Sequence, residues 1–183
     1  MIDSLVSNKT RVKLLLKFFL SDGTQSYLRG LESEFGASTN SIRVELNRLQ
    51  DAGMLVSHAD GNKRVYSANR QHPLYDNIRA IVRKHVGLDR IVDTITANLG
   101  HLEAVFLAGS FSRGLDSAII DLVLVGDIDR HYLIDVLAKA ESLISRKIRH
   151  VVYDTREALH DSLASFDPPP VLIWERKALP PTP

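Results

Sequence analysis

Apolar residues recur at helical spacing through the first half of this chain, then gather into short strand-like runs separated by helical ones in the second. Residues 7–20 carry Val12, Leu15, Leu16 and Phe19 at i, i+3, i+4 and i+7, widened by Leu14, Phe18 and Leu20, which predicts an amphipathic helix ended by Asp22-Gly23. A second helix is predicted over 27–35, stopped by Gly36, and a third over 39–52, with Ser38 as N-cap and Gly53 as the stop. Residues 54–58 and 63–67 flank the turn Asp60-Gly61-Asn62 and predict a β-hairpin. His72-Pro73 opens a helix with Leu74, Ile78, Ile81 and Val82 on one stripe and Arg79, Arg83 and Lys84 on another. Gly87 interrupts it, and Leu88, Ile91, Val92, Ile95 and Leu99 repeat the pattern to Gly100.

From Glu103 onward the pattern predicts strands at 104–108, 119–125, 148–153 and 171–174, with helices at 129–146 and 156–166 between them, an α/β arrangement. The tail from Asp167 holds six of the seven prolines and reads as stiff and mostly irregular, with Trp174 bracing the domain.

Charge separates the halves. Up to residue 86 there are 13 Lys+Arg against 8 Asp+Glu, and from Gly87 there are 10 against 14, so net +5 is followed by net −4. A basic first half favours a polyanionic partner through counterion release, whereas an acidic second half repels one unless a local basic pocket intervenes. The absence of cysteine excludes disulfides, thiolate metal sites and thiol nucleophiles. Lys9, Arg11, Lys13 and Lys17 interrupt the first apolar run, so neither a signal peptide nor a membrane span is expected and the cytoplasm is the expected location.

On the third helix Ile42, Leu46 and Leu49 share the inward face, while Ser38, Thr39, Asn40, Ser41, Arg43, Asn47 and Arg48 are polar. Lys63 and Arg64 stand at the hairpin tip. Three helices followed by a basic hairpin resemble the winged helix-turn-helix of ArsR-like regulators over about residues 8–70. In that resemblance the third helix is the recognition helix, and these nine residues are the expected contacts to double-stranded DNA, by base edges and phosphates. One helix and one wing span few base pairs, so a homodimer reading paired half-sites is expected. The apolar stripes over 71–100 are candidates for its seam or for docking on either domain.

In the second half, Gly109-Ser110 follows a strand directly, Arg113-Gly114 comes next, and after a spacer the strand 119–125 carries Asp121 among apolar residues and ends at Gly126. This combination resembles the minimal nucleotidyltransferases of the DNA polymerase beta superfamily over about residues 88–160. The resemblance implies that Gly-Ser grips an NTP triphosphate and that two acids at i and i+2 hold paired divalent metals. Positions i and i+2 share a strand face, so their carboxylates can grip ions about 3.5–4 Å apart.

Register puts Asp121 at the second acid position and Ile119 at the first, and isoleucine ligates no metal. The third acid position falls best on Arg149, with Asp154 as the other alignment, while Asp116, Asp127 and Asp129 would each need a backbone detour to rescue the site. Arg149 would set a fixed guanidinium where the family uses metal, favouring an anionic ligand that is bound without turnover. The competing reading is an arginine solvated or paired with a nearby acid, beside Arg146 and Lys147.

The expected architecture is α+β in two domains. A winged helix-turn-helix occupies 1–70, a helical linker and dimerisation segment 71–100, and a nucleotidyltransferase-like domain with a mixed sheet 101–183. The expected function is a DNA-binding transcriptional regulator whose second domain senses a ligand or mediates assembly. Gly109, Ser110, Arg113, Asp121 and Arg149 are the candidate residues for a nucleotide-like anionic effector. No cofactor, resident metal or catalytic residue is expected. The rival is an active metal-dependent nucleotidyltransferase recruited or autoregulated through its winged helix.

Overall fold

A computed structural model describes residues 6–21, 23–167 and 169–176. Among them the order is α1 (Lys9–Phe19), β1 (Gln25–Tyr27), α2 (Leu28–Phe35), α3 (Thr39–Asp51), β2 (Leu55–Asp60), β3 (Lys63–Ala68), α4 (Tyr75–Val86) and α5 (Leu88–Asn98). Then come β4 (Leu102–Ala108), α6 (Gly109–Ser112), β5 (Ile119–Gly126), α7 (Arg130–Ile144), β6 (Lys147–Tyr153), α8 (Arg156–Ser162) and, after a turn of 3-10 helix, β7 (Val171–Glu175). The fold is mixed α and β, with one antiparallel and one mixed sheet. The chain divides into two units: one runs to Val86 and takes in Arg113–Asp116, the other holds Gly87–Ser112 and the chain from Ser117. The helical segment at 71–100 is thereby split, with α4 in the first unit and α5 in the second.

In the first unit, the Asn8 side chain caps α1 by accepting from the backbone N–H groups of Thr10 and Arg11, at 2.9 and 3.1 Å. Ser38 caps α3 in the same way, accepting from the Ser41 N–H. Each cap satisfies N–H groups that the helix itself cannot, which is why these helices start where the polar residue stands. At its other end α2 stops at Gly36 in the left-handed region, φ 58°, and Lys13 Nζ donates to the terminal Phe35 carbonyl at 2.7 Å. The predicted stop at Asp22 lies outside the described residues.

The hairpin pairs Asp60 with Lys63 around Gly61-Asn62, and its strands reach the turn, beyond the predicted end at His58. Sequence pattern misses β1, whose three residues pair Gln25, Ser26 and Tyr27 with Ser67, Tyr66 and Val65 of β3. Tyr27 is held extended by that pairing, so α2 begins one residue later than its periodicity predicts. Leu14, Leu16, Phe18, Leu31, Ile42, Leu46 and Leu55 are fully enclosed, each worth about 1.5–3 kcal/mol relative to exposure.

A carboxylate is enclosed beside that core. Glu45, on α3, has a side chain only 2% exposed and takes Arg11 Nε on one oxygen at 2.7 Å and Arg48 Nη1 on the other at 2.7 Å. Asn8 Nδ2 adds a third donor at 3.1 Å, and Thr10 Oγ1 and Ser41 Oγ share a hydrogen bond alongside. The start of α1 is therefore bolted to the middle of α3 by polar contacts.

In the second unit the strand order is β6-β5-β4-β7, with β5 and β6 parallel and the other neighbours antiparallel. Val105, Leu107, Ile120, Leu122 and Leu124 fill one face of the sheet. On the other face Ala104, Ala108, Val123 and Val125 form a core with Leu159 of α8, joined by Leu163 and Phe166. Helices α5 and α7 pack on each other, and Gly87, φ 91°, opens α5 where a Cβ would lie 2.8 Å from Ile144 Cγ2. Ser145, the only described non-glycine with positive φ, closes α7 by donating its N–H to Glu141 O, which ends the helix short of the predicted Arg146. Trp174 stands opposite Val105 as β7 adds the fourth strand. The tail after Arg176 lies outside the described residues.

Glu45→Gln is expected to cost about 1–3 kcal/mol, since one acceptor oxygen becomes an NH2 donor that no guanidinium can bond and the other loses its negative charge. The surrounding guanidinium groups, Arg11 foremost, hold its pKa below the ordinary 4.5, so its contribution is complete above 4.5 and disappears as pH falls through the lowered value. Urea midpoints of the two proteins should therefore differ at neutral pH and converge in acid; a pH-independent difference would contradict the assignment.

Candidate functional site

The exposed side of α3 and the β2–β3 hairpin border a groove of about 530 Å³ in the first unit. Arg29, Arg43, Lys63 and Arg64 line it with Asn47, Asn62, Tyr27 and Tyr66, and no carboxylate does. Lys63 and Arg64 are held in place by neutral groups. Lys63 Nζ lies 4.5 Å from the Tyr27 ring centroid, the Arg64 guanidinium 5.6 Å from that of Tyr66, and Arg64 Nε donates to Ser57 Oγ at 2.8 Å. Cation–π contact orders a side chain without cancelling its charge, so the groove keeps four positive charges facing solvent.

Of the residues singled out on α3, Arg43 and Asn47 are one turn apart and both line this groove. Arg48 is rotated about 140° from Arg43 around the helix; it binds Glu45 and lines a different cleft, with Leu15, Ile78 and Ile81. Ser38 and Ser41 spend hydrogen-bonding capacity on the cap and on Thr10, while Asn40 is exposed at the helix start. Arg29, Tyr27 and Val44 carry no periodic signal that marks them in the sequence. The first two reach the groove because β1 pairs with β3, and Val44 exposes an apolar side chain beside Arg43.

In the second unit, Gly109, Asp121 and Arg149 line one cleft of about 290 Å³ with Ala108, Val123 and Phe166, while Ser110 and Arg113 are not among its lining residues. Asp121 and Arg149 are register partners on the parallel pair β5–β6. Arg149 Nε donates to Asp121 Oδ1 at 2.6 Å, and this carboxylate raises the pKa of an already permanent cation. The other oxygen, Oδ2, lies against the place a Cβ would take on Gly109, whose φ is 62°. Glycine is required there on two counts, backbone conformation and the room given to Asp121.

Ile119 is on the same face as Asp121, two residues before it and opposite Lys147. The three positions where the sequence resemblance expects carboxylates hold an alkyl chain, an acid bound to arginine, and that arginine. Among the described residues no group of three or more His, Asp or Glu side chains is placed to hold a metal ion. The nearby acids have other partners: Asp129 caps α7 through the His131 and Tyr132 N–H groups, and Asp154 lies 3.8 Å from Arg130. The two cations beside Arg149 are also engaged. Lys147 pairs with Glu141 at 2.8 Å, and Arg146 covers the Phe111 ring and donates to the Ser117 carbonyl.

Gly109→Ala is expected to cost roughly 1–3 kcal/mol from backbone strain alone, with a further loss from displacing Asp121. Adding Asp121→Ala should recover the second part and leave the first. Chemical denaturation of the two single variants and the double variant reads the split, and a wild-type midpoint for Gly109→Ala would refute it.

Among the described residues no helix is long and apolar enough to cross a membrane. No family model and no curated protein matches the chain. Solved structures similar to part of it include reduced HlyU from Vibrio cholerae N16961, at 16% identity over 48% of this chain and 83% of that one, TM-score 0.37. A mutant of the toxin-antitoxin MntA-HpeT is similar at 15% identity over 49% and 73%, TM-score 0.37. A protein from Shewanella oneidensis is similar at 14% identity over 51% and 72%, TM-score 0.37.

Proposed function

We propose that this protein is a double-stranded-DNA-binding transcriptional regulator, its first unit a winged helix-turn-helix with α3 as recognition helix and the β2–β3 hairpin as wing. The observation that carries the reading is the groove beside α3, where four cations and two asparagines meet without a carboxylate. Phosphate binding rewards that unbalanced charge through counterion release. Arg43 and Asn47, projecting together from one helix face, have the donor geometry that reads guanine and adenine edges in the major groove. Arg29, Lys63 and Arg64 take the phosphates. The regulator acts as a homodimer, because two such helices one DNA turn apart read enough base pairs to specify a site.

The second unit serves as a non-catalytic nucleotidyltransferase-like domain that senses an anionic ligand or mediates assembly. Asp121, bound by Arg149, is neutralised without metal, and with Ile119 alongside it has no second carboxylate with which to bridge two ions. An incoming nucleotide-like anion is offered the remaining donors of Arg149 and meets the Asp121 carboxylate beside Gly109. Binding there is weak unless the pair opens, so the effector's affinity is set by what it gains over Asp121.

On duplexes recovered by genomic footprinting, Arg43→Ala and Asn47→Ala are each expected to cost about 1–3 kcal/mol and to relax specificity. Arg29→Ala, Lys63→Ala and Arg64→Ala should weaken all sequences alike and each lower the salt slope by about 1. Arg48→Ala should lose less than Arg43→Ala. Fluorescence anisotropy across a salt series measures all six, and unchanged affinity in the groove variants would sink the docking.

For the second unit, labelled ATP with Mg²⁺ is expected to give no nucleotidyl transfer. Transfer that Asp121→Ala abolishes would make the protein an enzyme and overturn the non-catalytic reading.

A further inference from the structure

The first unit contains a second cleft, of about 390 Å³ and almost wholly apolar, on the side of α3 away from the basic groove. Buried Leu15 and Leu49 and half-buried Met54 and Ile78 line it, with exposed Ala52 and Ile81 at its edge. The volume is within the range of small-molecule sites.

What distinguishes it from a bare apolar groove is its pair of guanidinium groups. Arg11 and Arg48 both line the cleft, and both converge on the single carboxylate of Glu45. Two cations against one anion leave a surplus positive charge, and no acidic side chain lines the cleft to cancel it. Each guanidinium has five N–H donors. The bonds to Glu45 use one from each, Nε of Arg11 and Nη1 of Arg48, and the Arg48 side chain remains 61% exposed. Such an edge favours a ligand that joins one anionic head to an apolar body. Carboxylate is the head whose two oxygens match a planar guanidinium fork.

We propose that this cleft binds an amphipathic monocarboxylate, an aliphatic or aryl acid whose apolar body lies on Leu15, Leu49, Met54 and Ile78 and whose carboxylate meets Arg48 and Arg11. The site is separate from the cleft at Gly109 and Asp121, and its binding step does not depend on the DNA-binding reading.

Titration calorimetry on the full chain, with octanoate as probe and 1-octanol as its neutral counterpart, tests the proposal. Octanoate should bind one per chain and at least tenfold more tightly than octanol. Ile81→Glu, which sets a like charge at the exposed edge, and Ala52→Trp, which fills the cleft from an exposed position, should each lower octanoate affinity at least tenfold without shifting Tm. Arg48→Gln should bring octanoate and octanol to similar affinities. Equal binding of the two probes by the wild type, octanoate binding untouched by both edge variants, or no octanoate binding would each overturn the proposal. A dimer that Ile81→Glu or Ala52→Trp converts to monomer in sedimentation, with no octanoate heat, would also overturn it and give the cleft to a second copy of the chain.

Discussion

A carboxylate removed from water must bring cations with it, and Glu45 organises the first unit by that requirement. Taking a carboxylate out of solvent costs several kcal/mol unless its lone pairs are answered. Arg11, Arg48 and Asn8 supply the answers from α1 and α3 together. Hydrophobic packing of Leu14, Leu16, Ile42 and Leu46 has no direction of its own, so a helix held by it alone can slide or roll with small loss. The 2.7 Å bond from Arg11 and the 3.1 Å bond from Asn8, both reaching across from α1, fix the rotation of α3 about its axis, while Arg48 answers the second oxygen from α3 itself. With that rotation set, Arg43 and Asn47 are committed to the hairpin side and Arg48 to the other.

The second unit applies the same electrostatics with a different outcome. Asp121 is bound to one arginine from the neighbouring strand rather than to two, one from another helix and one from its own, and Arg149 remains largely in solvent. An exposed pair of this kind contributes little to stability, so its significance is what it precludes. A carboxylate already neutralised by a guanidinium offers a divalent ion one contested ligand where the ion prefers several oxygens. Gly109 belongs to the same arrangement, because only a residue without Cβ leaves room for Asp121 Oδ2.

Much of this was legible in the sequence because local rules decided it. The cap at Ser38, the start of α7 near Asp129, the ends of α1 and α3, the hairpin and the four strands of the second sheet follow from period and turn chemistry, with element ends off by a few residues. The common face of Ile119 and Asp121 follows from strand period two. The pairing of Asp121 with Arg149 needed the register between two strands, which pattern leaves open. Strand β1 escaped because three residues carry no period, and with it went Tyr27 and Arg29 as groove residues. The direction of Arg48 escaped because polarity alone does not say which cation a buried acid will claim. A signal was present: Glu45 stands at i+3 from Ile42 and i−4 from Leu49, on the inward stripe of α3, and an acid on an apolar stripe asks for a partner.

Helix α3 is common to the basic groove and the apolar cleft, and that sharing limits how the two can communicate. Arg43 and Asn47 border one, Arg48 and Leu49 the other, on opposite flanks of thirteen residues. A ligand that drew Arg11 away from Glu45 would weaken one of the bonds that fix the rotation of α3 and leave Asn8 and the Thr10–Ser41 hydrogen bond to hold it. The effect on a polyanion in the groove equals the ligand's differential affinity for the two orientations, and the polyanion must act on the ligand by the same factor. A ligand seated on Leu15 and Ile78 with the Arg11–Glu45 bond undisturbed binds both orientations equally and regulates nothing, however tightly it binds. Coupling through this helix would therefore depend on competition for the Arg11 guanidinium, and the apolar body of a ligand would contribute the energy with which its head competes.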